Sequence, residues 1–300
     1  MGASKITVSR YALSYGVSIY LSSIGEGQVL SYGGVDYSNL SYPDEDAADM
    51  TALLAGQGWT AARRVRGYIG GASTLTDEYP TKANIEADVS ALAATAASDS
   101  EVVLFFSGHG VADANGKAYL VPYLGVVDSS TPSVDLSMCI SPEELSSMLA
   151  WLPTKNVIVL LDCCDSGGFV SSSGAIDASP QNYASSSGSY SAFSTALGNF
   201  GSLLAANASA TGAKVPIVIS GAGSQEFNYE SQDLGHGIFT YYLLASATKG
   251  DADGDGIVTT TEAYAYIVSA INSNWNQSNA NLAFLPHISG DTRDLALFSK

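Results

Sequence analysis

Two short segments of the chain carry a nucleophile and a base at the ends of apolar runs. One is Leu104-Phe105-Phe106-Ser107-Gly108-His109-Gly110. The other is Val159-Leu160-Leu161-Asp162-Cys163-Cys164-Asp165-Ser166-Gly167-Gly168. A thiol of ordinary pKa, about 8.5, is a modest nucleophile until a neighbour lowers that pKa or takes its proton. Histidine titrates near neutrality and is the natural partner. Each apolar run reads as a buried strand, and open α/β sheets bind ligands at the carboxyl ends of their strands. His109 and a cysteine just past two such ends would meet, and the glycines beside His109 would let the backbone turn and expose the ring. Taken singly, each residue has a plainer reading, a packing histidine and a cysteine acting as a small hydrophobe.

A second group of residues suits a metal. Asp251-Ala252-Asp253-Gly254-Asp255-Gly256-Ile257-Val258-Thr259-Thr260-Thr261-Glu262 has acids at positions 1, 3 and 5, Gly at 6 and Glu at 12, the pattern of a twelve-residue EF-hand loop. Ca²⁺ takes six to eight hard oxygens. Asp251, Asp253 and Asp255, the Ile257 carbonyl, a water held by Thr259 and both oxygens of Glu262 would supply them. Ca²⁺ is therefore the expected cofactor, in a structural role, and the thiol chemistry itself needs none.

These groups must be held by regular elements. Residues 11–20 alternate and read as a strand. Residues 43–57 open with Pro43, carry Asp44, Glu45 and Asp46 in the first turn and read as a helix. Residues 59–65 form a strand, 81–97 a helix and 101–107 an unbroken apolar strand buried on both faces. Residues 117–123 make a short hairpin arm. Ser141-Pro142-Glu143-Glu144 is a capping box with Pro at the first helical position, starting a helix to Trp151. Residues 156–162 and 214–221 are further buried strands, and 235–248 and 260–274 are helices. Strands alternating with helices around continuously apolar central strands predict an α/β sandwich with a mostly parallel sheet of about six strands. No boundary splits it, so residues 1–300 read as one domain. Residues 168–213 interrupt it with a Ser/Ala/Gly-rich loop lacking any Lys or Arg.

Composition narrows the function classes. The 300 residues are 46% hydrophobic and 10% aromatic, a globular balance. Asp and Glu number 29 against 12 Lys and Arg, a net charge of −17. So acidic a surface argues against nucleic acid and anionic membranes as partners. No apolar run approaches the roughly 18–20 residues a membrane helix needs. The first residues, Met1 to Ile6, lack both the apolar core of a signal peptide and the Ser or Thr of a myristoylation motif, which is compatible with a soluble cytoplasmic protein or an exported one already processed. Three cysteines, two of them adjacent, do not make a disulfide framework. Arg63, Arg64 and Arg66 read as a solvated strand edge. Glu226 and Glu230 follow the last buried strand and are candidates for the border of a cleft.

The spacing of His109 and Cys164, 55 residues, fits a cysteine with a histidine roughly 50 residues upstream, as in caspases. In detail the chain resembles the caspase–metacaspase clan of cysteine peptidases, closest to the bacterial caspase-like branch called orthocaspases. Ser107-Gly108-His109-Gly110 matches the family's His-Gly segment, and Asp162, Cys164, Ser166 and Gly167 match the metacaspase D-x-C-x-S-G. Asp46, Ala47 and Met50 resemble its N-terminal D-A-x-x-M segment. Ser220 to Ala222, Gly237 to Leu243 and Pro286 to Asp291 resemble the later strand, helix and tail. The resemblance implies a caspase–haemoglobinase-like fold and a cysteine endopeptidase that works through an acyl-enzyme. It implies Cys164 as nucleophile, His109 as general base and acid, and the backbone N–H groups of Gly110 and Cys164 as oxyanion donors. Asp165 stands where the family usually has His or Arg, placing a carboxylate beside the thiol.

The same resemblance implies that Asp46, Ser107 and Asp162 line an acidic pocket (S1) for the residue before the scissile bond. The substrates would be proteins or peptides with Arg or Lys at that position, since two carboxylates hold a cation by charge-assisted hydrogen bonds. Read alone, Asp46 is a first-turn acid favoured by the helix dipole and Asp162 a strand-end acid orienting nearby backbone. Two other readings compete with the enzyme: a caspase-like scaffold with a silent site, and a Ca²⁺-dependent binding or assembly module. A protease of this specificity could also cut itself. No Lys or Arg lies between Lys155 and Lys214, so the chain is expected to work without a cut inside residues 168–213.

Overall fold

The two apolar runs lie side by side in the middle of one sheet. The structure, a computed structural model, describes residues 8–20, 30–32, 35–37, 39–67, 79–115, 117–123, 133–164, 208, 210, 215–221, 229–280, 283–291 and 293–300. In chain order it begins with β1 (Arg10–Val17), the hairpin β2 (Leu30–Tyr32) and β3 (Val35–Tyr37), α1 (Pro43–Gly56) and β4 (Thr60–Arg66). There follow α2 (Lys82–Thr95), β5 (Glu101–Ala112), β6 (Ala118–Leu120), α3 (Pro142–Leu149) and β7 (Asn156–Cys164). The last described third holds β8 (Ile217–Ser220), β9 (Glu230–Ser231), β10 (His236–Gly237), α4 (Ile238–Lys249), β11 (Ile257–Thr259), α5 (Thr260–Ala270), β12 (His287–Gly290) and β13 (Ala296–Ser299).

The sheet order is β12-β8-β7-β5-β1-β4. The pairs β4–β1, β1–β5, β5–β7 and β7–β8 are parallel; β12 joins antiparallel at the edge, and β6 pairs antiparallel with the end of β5 as a seventh strand off this path. This is the mostly parallel sheet of about six strands expected from the pattern, and helices flank it. Alternation along β5 and β7 sends successive side chains to opposite layers. Leu104, Phe106, Val159 and Leu161 pack with Ile85, Val89 and Leu92 of α2 and Leu145 and Met148 of α3. Val103, Phe105, Ile158 and Leu160 pack with Met50 and Leu54 of α1, Phe239 and Leu243 of α4 and Ile267 of α5. An unbroken apolar run is thus required: both faces of these strands are core.

Local signals hold the helices in place. Pro43 starts α1, with Asp44, Glu45 and Asp46 in its first turn. The Ser141/Glu144 capping box starts α3 as expected, and a second one, Thr259/Glu262, starts α5.

Four expectations need correction. First, β5 does not end at Ser107 but runs to Ala112, because Gly110–Ala112 pair antiparallel with β6. His109 therefore sits within a strand rather than past its end. Second, α4 begins at Ile238, not at residue 235. Gly235 is left-handed (φ 68°) and His236–Gly237 pair antiparallel with Glu230–Ser231, so a turn and a bridge occupy what helical spacing had claimed. Third, α5 stops at Ala270 and continues as a wider π-type turn over Ile271–Asn276. Fourth, β4 is the sheet's edge strand, but Arg64 is not solvated. It is 5% exposed, and its guanidinium grips Asp88 of α2 through Nε (2.7 Å) and Nη2 (2.6 Å). Arg66 is likewise engaged, over the Tyr79 ring at 4.6 Å. Among the described residues no helix is long and apolar enough to cross a membrane.

Candidate active site

The register of β5 against β7 aligns the chemically equipped residues rung by rung. Ser107 pairs with Asp162, Gly108 with Cys163 and His109 with Cys164. Neighbouring strands lie about 4.8 Å apart, so each pair is in immediate proximity. His109 is fully buried. Its backbone N–H donates to the Tyr20 hydroxyl at 2.6 Å, and the Tyr20 ring lies 4.9 Å from the imidazole, centroid to centroid. The expectation that flanking glycines expose this ring is thus overturned. Gly108 serves a close approach instead: a Cβ there would lie 2.7 Å from the Tyr20 hydroxyl. Gly110 pairs with Leu120, and Val121 N–H donates to the His109 carbonyl at 2.9 Å, which pins the strand beyond the histidine.

The adjacent cysteines separate clearly. Cys163 is 1% exposed and belongs to the α2–α3 core layer. Burial, with Asp162 adding to it, pushes its thiol well above the ordinary range. Burial pushes the Cys139 thiol up to about 12. Both are protonated, inert thiols at neutral pH. Cys164 closes β7 opposite His109. Asp165, Ser166 and Gly167, Glu226, and residues 168–213 apart from 208 and 210, lie outside the described residues.

Beside this pair the fold assembles a buried acidic group. Asp46, one turn into α1, accepts from the Ser107 hydroxyl at 2.9 Å. Asp162 accepts from the Thr240 backbone N–H at 3.0 Å and from its hydroxyl, which ties the end of β7 to the first turn of α4. Gly237 stands between the two acids. Its N–H lies 3.3 Å from Asp46 Oδ1, and a Cβ on it would fall 2.4 Å from Asp162 Oδ2. Asp46 and Asp162 are 1% and 0% exposed. Burial first, and the Asp162 charge second, hold the Asp46 carboxyl well above the usual carboxylate range, against the Ser107 hydrogen bond. Glu230 is buried next to them and accepts from the Ser41 and Tyr42 N–H groups, yet burial still pushes it up to about 7. Glu45, pressed by burial and by Asp44, is also raised to about 7. Such a group of acids favours an incoming cation: the protons it holds are displaced by a positive charge.

The structure thus brings together Asp46, Ser107 and Asp162, and sets His109 and Cys164 on the same two strands. Glu230 is indeed close by, though as a buried backbone acceptor rather than a cleft border. Four participants escaped sequence reasoning: Tyr20 over His109, and His236, Gly237 and Thr240 around the acids. His236 Nδ1 lies 2.8 Å from Asp46 Oδ1. One signal was available, since Gly235-His236-Gly237 repeats the tripeptide Gly108-His109-Gly110.

The acidic loop stands apart, at the far end of α4. Carboxylate oxygens of Asp251, Asp253 and Asp255 lie within 4.8 Å of one another. Oxygens bound to one Ca²⁺ at about 2.3–2.6 Å span about that much, so the three acids fit the ion. Gly254 (φ 80°) and Gly256 (φ 87°) supply the left-handed turns. Glu262 caps α5 here, accepting from Ala252 N–H and Thr259 N–H, each at 3.0 Å. The Lys300 ammonium lies 3.2 Å from Asp251. Strand β11, loop residues Ile257–Thr259, pairs antiparallel with β13.

The sequence model of the family described as caspase domain matches residues 29–280. No curated protein sequence matches the chain. Among solved structures, protein GSU0716 of Geobacter sulfurreducens is 16% identical, with a TM-score of 0.56 over 97% of both chains. Caspase-1 of Spodoptera frugiperda is 10% identical, with a TM-score of 0.50 over 98% of this chain and 91% of that one. At these identities the likeness is one of fold.

Proposed function

The chain belongs to the caspase domain family of cysteine peptidases, and on that premise we propose that it is an endopeptidase cutting proteins or peptides after Arg or Lys. His109 takes the Cys164 proton, and the thiolate attacks the carbonyl carbon of the scissile bond. The backbone N–H groups of Gly110 and Cys164 receive the oxyanion. His109 returns the proton to the leaving amine as the C–N bond breaks, which leaves an acyl-enzyme. A water, deprotonated by His109, then breaks the thioester, and Cys164 recovers its proton. The register pairing of His109 with Cys164 supports the dyad.

The single observation that carries the specificity is the joint burial of Asp46 and Asp162 next to Ser107, whose rung with Asp162 is two from that pair. A cationic side chain is the ligand that offsets their mutual repulsion. An acidic one would be repelled. Ca²⁺ belongs at Asp251, Asp253, Asp255, Ile257, Thr259 and Glu262, away from the reacting atoms, where it would fix the turn between α4 and α5.

A positional peptide library, run with and without Ca²⁺, tests this reading. Cleavage confined to Arg and Lys at the position before the cut is expected, lost in Cys164→Ala. Cleavage after Asp would overturn the pocket. No cleavage, and no labelling of Cys164 by an arginine-directed electrophile at any Ca²⁺ concentration, would favour the silent scaffold or the Ca²⁺-dependent binding module.

A further inference from the structure

His236 is the basic side chain set directly against Asp46. The β9–β10 bridge fixes it, with His236 opposite Ser231 and Gly237 opposite Glu230. Its ring then spans from the buried acid to the surface: Nδ1 is 2.8 Å from Asp46 Oδ1, and Nε2 is 3.4 Å from Oδ2 of Asp49. The His236 side chain is 14% exposed and that of Asp49 61%. Asp46 is therefore held at both oxygens, Oδ2 by the Ser107 hydroxyl and Oδ1 by the imidazole.

A contact of 2.8 Å between an imidazole nitrogen and a carboxyl oxygen needs one proton between them. With the pocket empty, the proton suits the carboxyl, which is buried beside Asp162. When a guanidinium or ammonium enters, the carboxyl becomes the better anion and the proton suits Nδ1. Proton and charge balance: Asp46 gives up a proton, His236 takes it on Nδ1, and the cation meets a carboxylate. The charged groups facing the ring are Asp46, Asp49 and Glu45 from α1 and Asp162 from β7, with Tyr241 of α4 at 6.5 Å between ring centroids.

We propose that His236 is a positioning residue for substrate specificity, which accepts the Asp46 proton and holds that carboxylate, through an Nδ1–H donor, in place for a cationic side chain. The inference rests on the cation-pocket reading. It assigns no contact between His236 and the scissile bond, so the effect falls on binding.

The test compares His236→Ala with His236→Asn, whose amide N–H reaches the place of Nδ1. With an arginine reporter peptide, His236→Ala is expected to raise KM by about tenfold, the scale of a lost hydrogen bond to a charged group. The change in kcat is expected to be smaller, and His236→Asn recovers most of the KM. An unchanged KM in His236→Ala overturns the proposal, as does a loss confined to kcat, or a loss of both that His236→Asn does not rescue. If the wild type cuts after neither Arg nor Lys, the pocket reading falls and this proposal with it; if the wild type does and His236→Ala keeps its KM, this proposal alone falls. Should the alanine variant not fold, the wild type decides. Its three histidines are few enough to resolve by ¹⁵N NMR. Adding agmatine, a small guanidinium, is expected to move the His236 signal toward the Nδ1-protonated form, and an unmoved signal overturns the proposal.

Discussion

His109 and Cys164 are direct partners in the register of two neighbouring parallel strands, although 55 residues separate them in the chain. The register is set lower down, where Val103, Phe105, Ile158 and Leu160 on one face and Leu104, Phe106, Val159 and Leu161 on the other are all 3% exposed or less. A slip of one residue would turn every one of these side chains into the wrong layer. The proposed dyad therefore inherits its alignment from the core, and loops are not needed to bring its two backbones together.

The two adjacent cysteines should behave oppositely. Cys164→Ala is expected to lower peptide turnover by at least about a thousandfold, as removal of a catalytic nucleophile does. Cys163→Ala should keep turnover and cost about 1 kcal/mol of stability, because it deletes a small buried group from the α2–α3 layer. Iodoacetamide labelling followed by peptide mass mapping checks this directly. A modified Cys163 in the folded protein, with Cys164 untouched, would exchange their roles.

Much of this arrangement was legible beforehand because it is local or periodic. The runs at 102–106 and 157–161 announce buried strands, and Pro43 with its three following acids announces α1. The acids of the proposed pocket are reached only through the family resemblance, since nothing in the spacing of Asp46 and Asp162 says that they meet. What escaped depends on long-range contact. Gly108 reads as a turn-former, yet it is needed so that Tyr20, 88 residues away, can lie over the strand. His236 fell inside an apparent helix because apolar periodicity begins at Ile238 and nothing upstream marks where it stops. Arg64 reads as solvated because its partner Asp88 is on α2, 24 residues along the chain from the strand that carries the arginine.

Stability should fall as pH rises from about 4.5 to neutrality. Glu230 has its carboxyl raised from 4.5 to about 7, mainly by burial. A raised acid binds its proton more tightly in the folded state than in the unfolded chain. Its contribution is therefore most favourable below pH 4.5 and is lost as pH climbs from there to about 7. Within that window one such group costs about 1.4 kcal/mol per pH unit. Glu45 shifts the same way but is partly solvated, so it adds less. Urea unfolding at pH 5, 6 and 7.5 should give falling midpoints, and Glu230→Gln should flatten the trend. Midpoints that rise over this range would show that the acids are held as anions.

Gly237 should be intolerant of any side chain. A Cβ would fall 2.4 Å from Asp162 Oδ2 while the Gly237 N–H faces Asp46, so the start of α4 would have to move. Gly237→Ala is expected to cost about 1–3 kcal/mol, as overpacking does. It should also raise KM for arginine peptides more than Gly235→Ala, whose Cβ meets nothing within 4 Å despite its left-handed backbone. Thermal melts and steady-state kinetics on the two variants separate strain from specificity.

The acidic loop should bind Ca²⁺ and resist heat when it does. At a hundredfold excess over Kd, binding stabilises by about 2.7 kcal/mol. Asp251→Ala should abolish the calorimetric signal. Because the Lys300 ammonium lies 3.2 Å from Asp251 and competes with the ion for that carboxylate, Lys300→Gln should tighten Ca²⁺ binding modestly. A flat titration of the wild type would remove the metal from the account.

The chain's own basic residues make a final demand on the specificity. Lys and Arg number only 12, and none falls between Lys155 and Lys214. A protease cutting after basic residues has no site within that span, and Lys214 is the first one beyond it. Arg64, by contrast, is locked against Asp88, where its backbone is part of β4 and closed to attack. The active enzyme is therefore expected to work with residues 156–213 unbroken, and any self-cleavage there should fall after Lys214. Intact-mass measurement of protein incubated until its activity is constant gives the answer. A cut inside residues 168–213 would contradict the basic specificity itself, because every bond in that segment follows an uncharged or acidic residue.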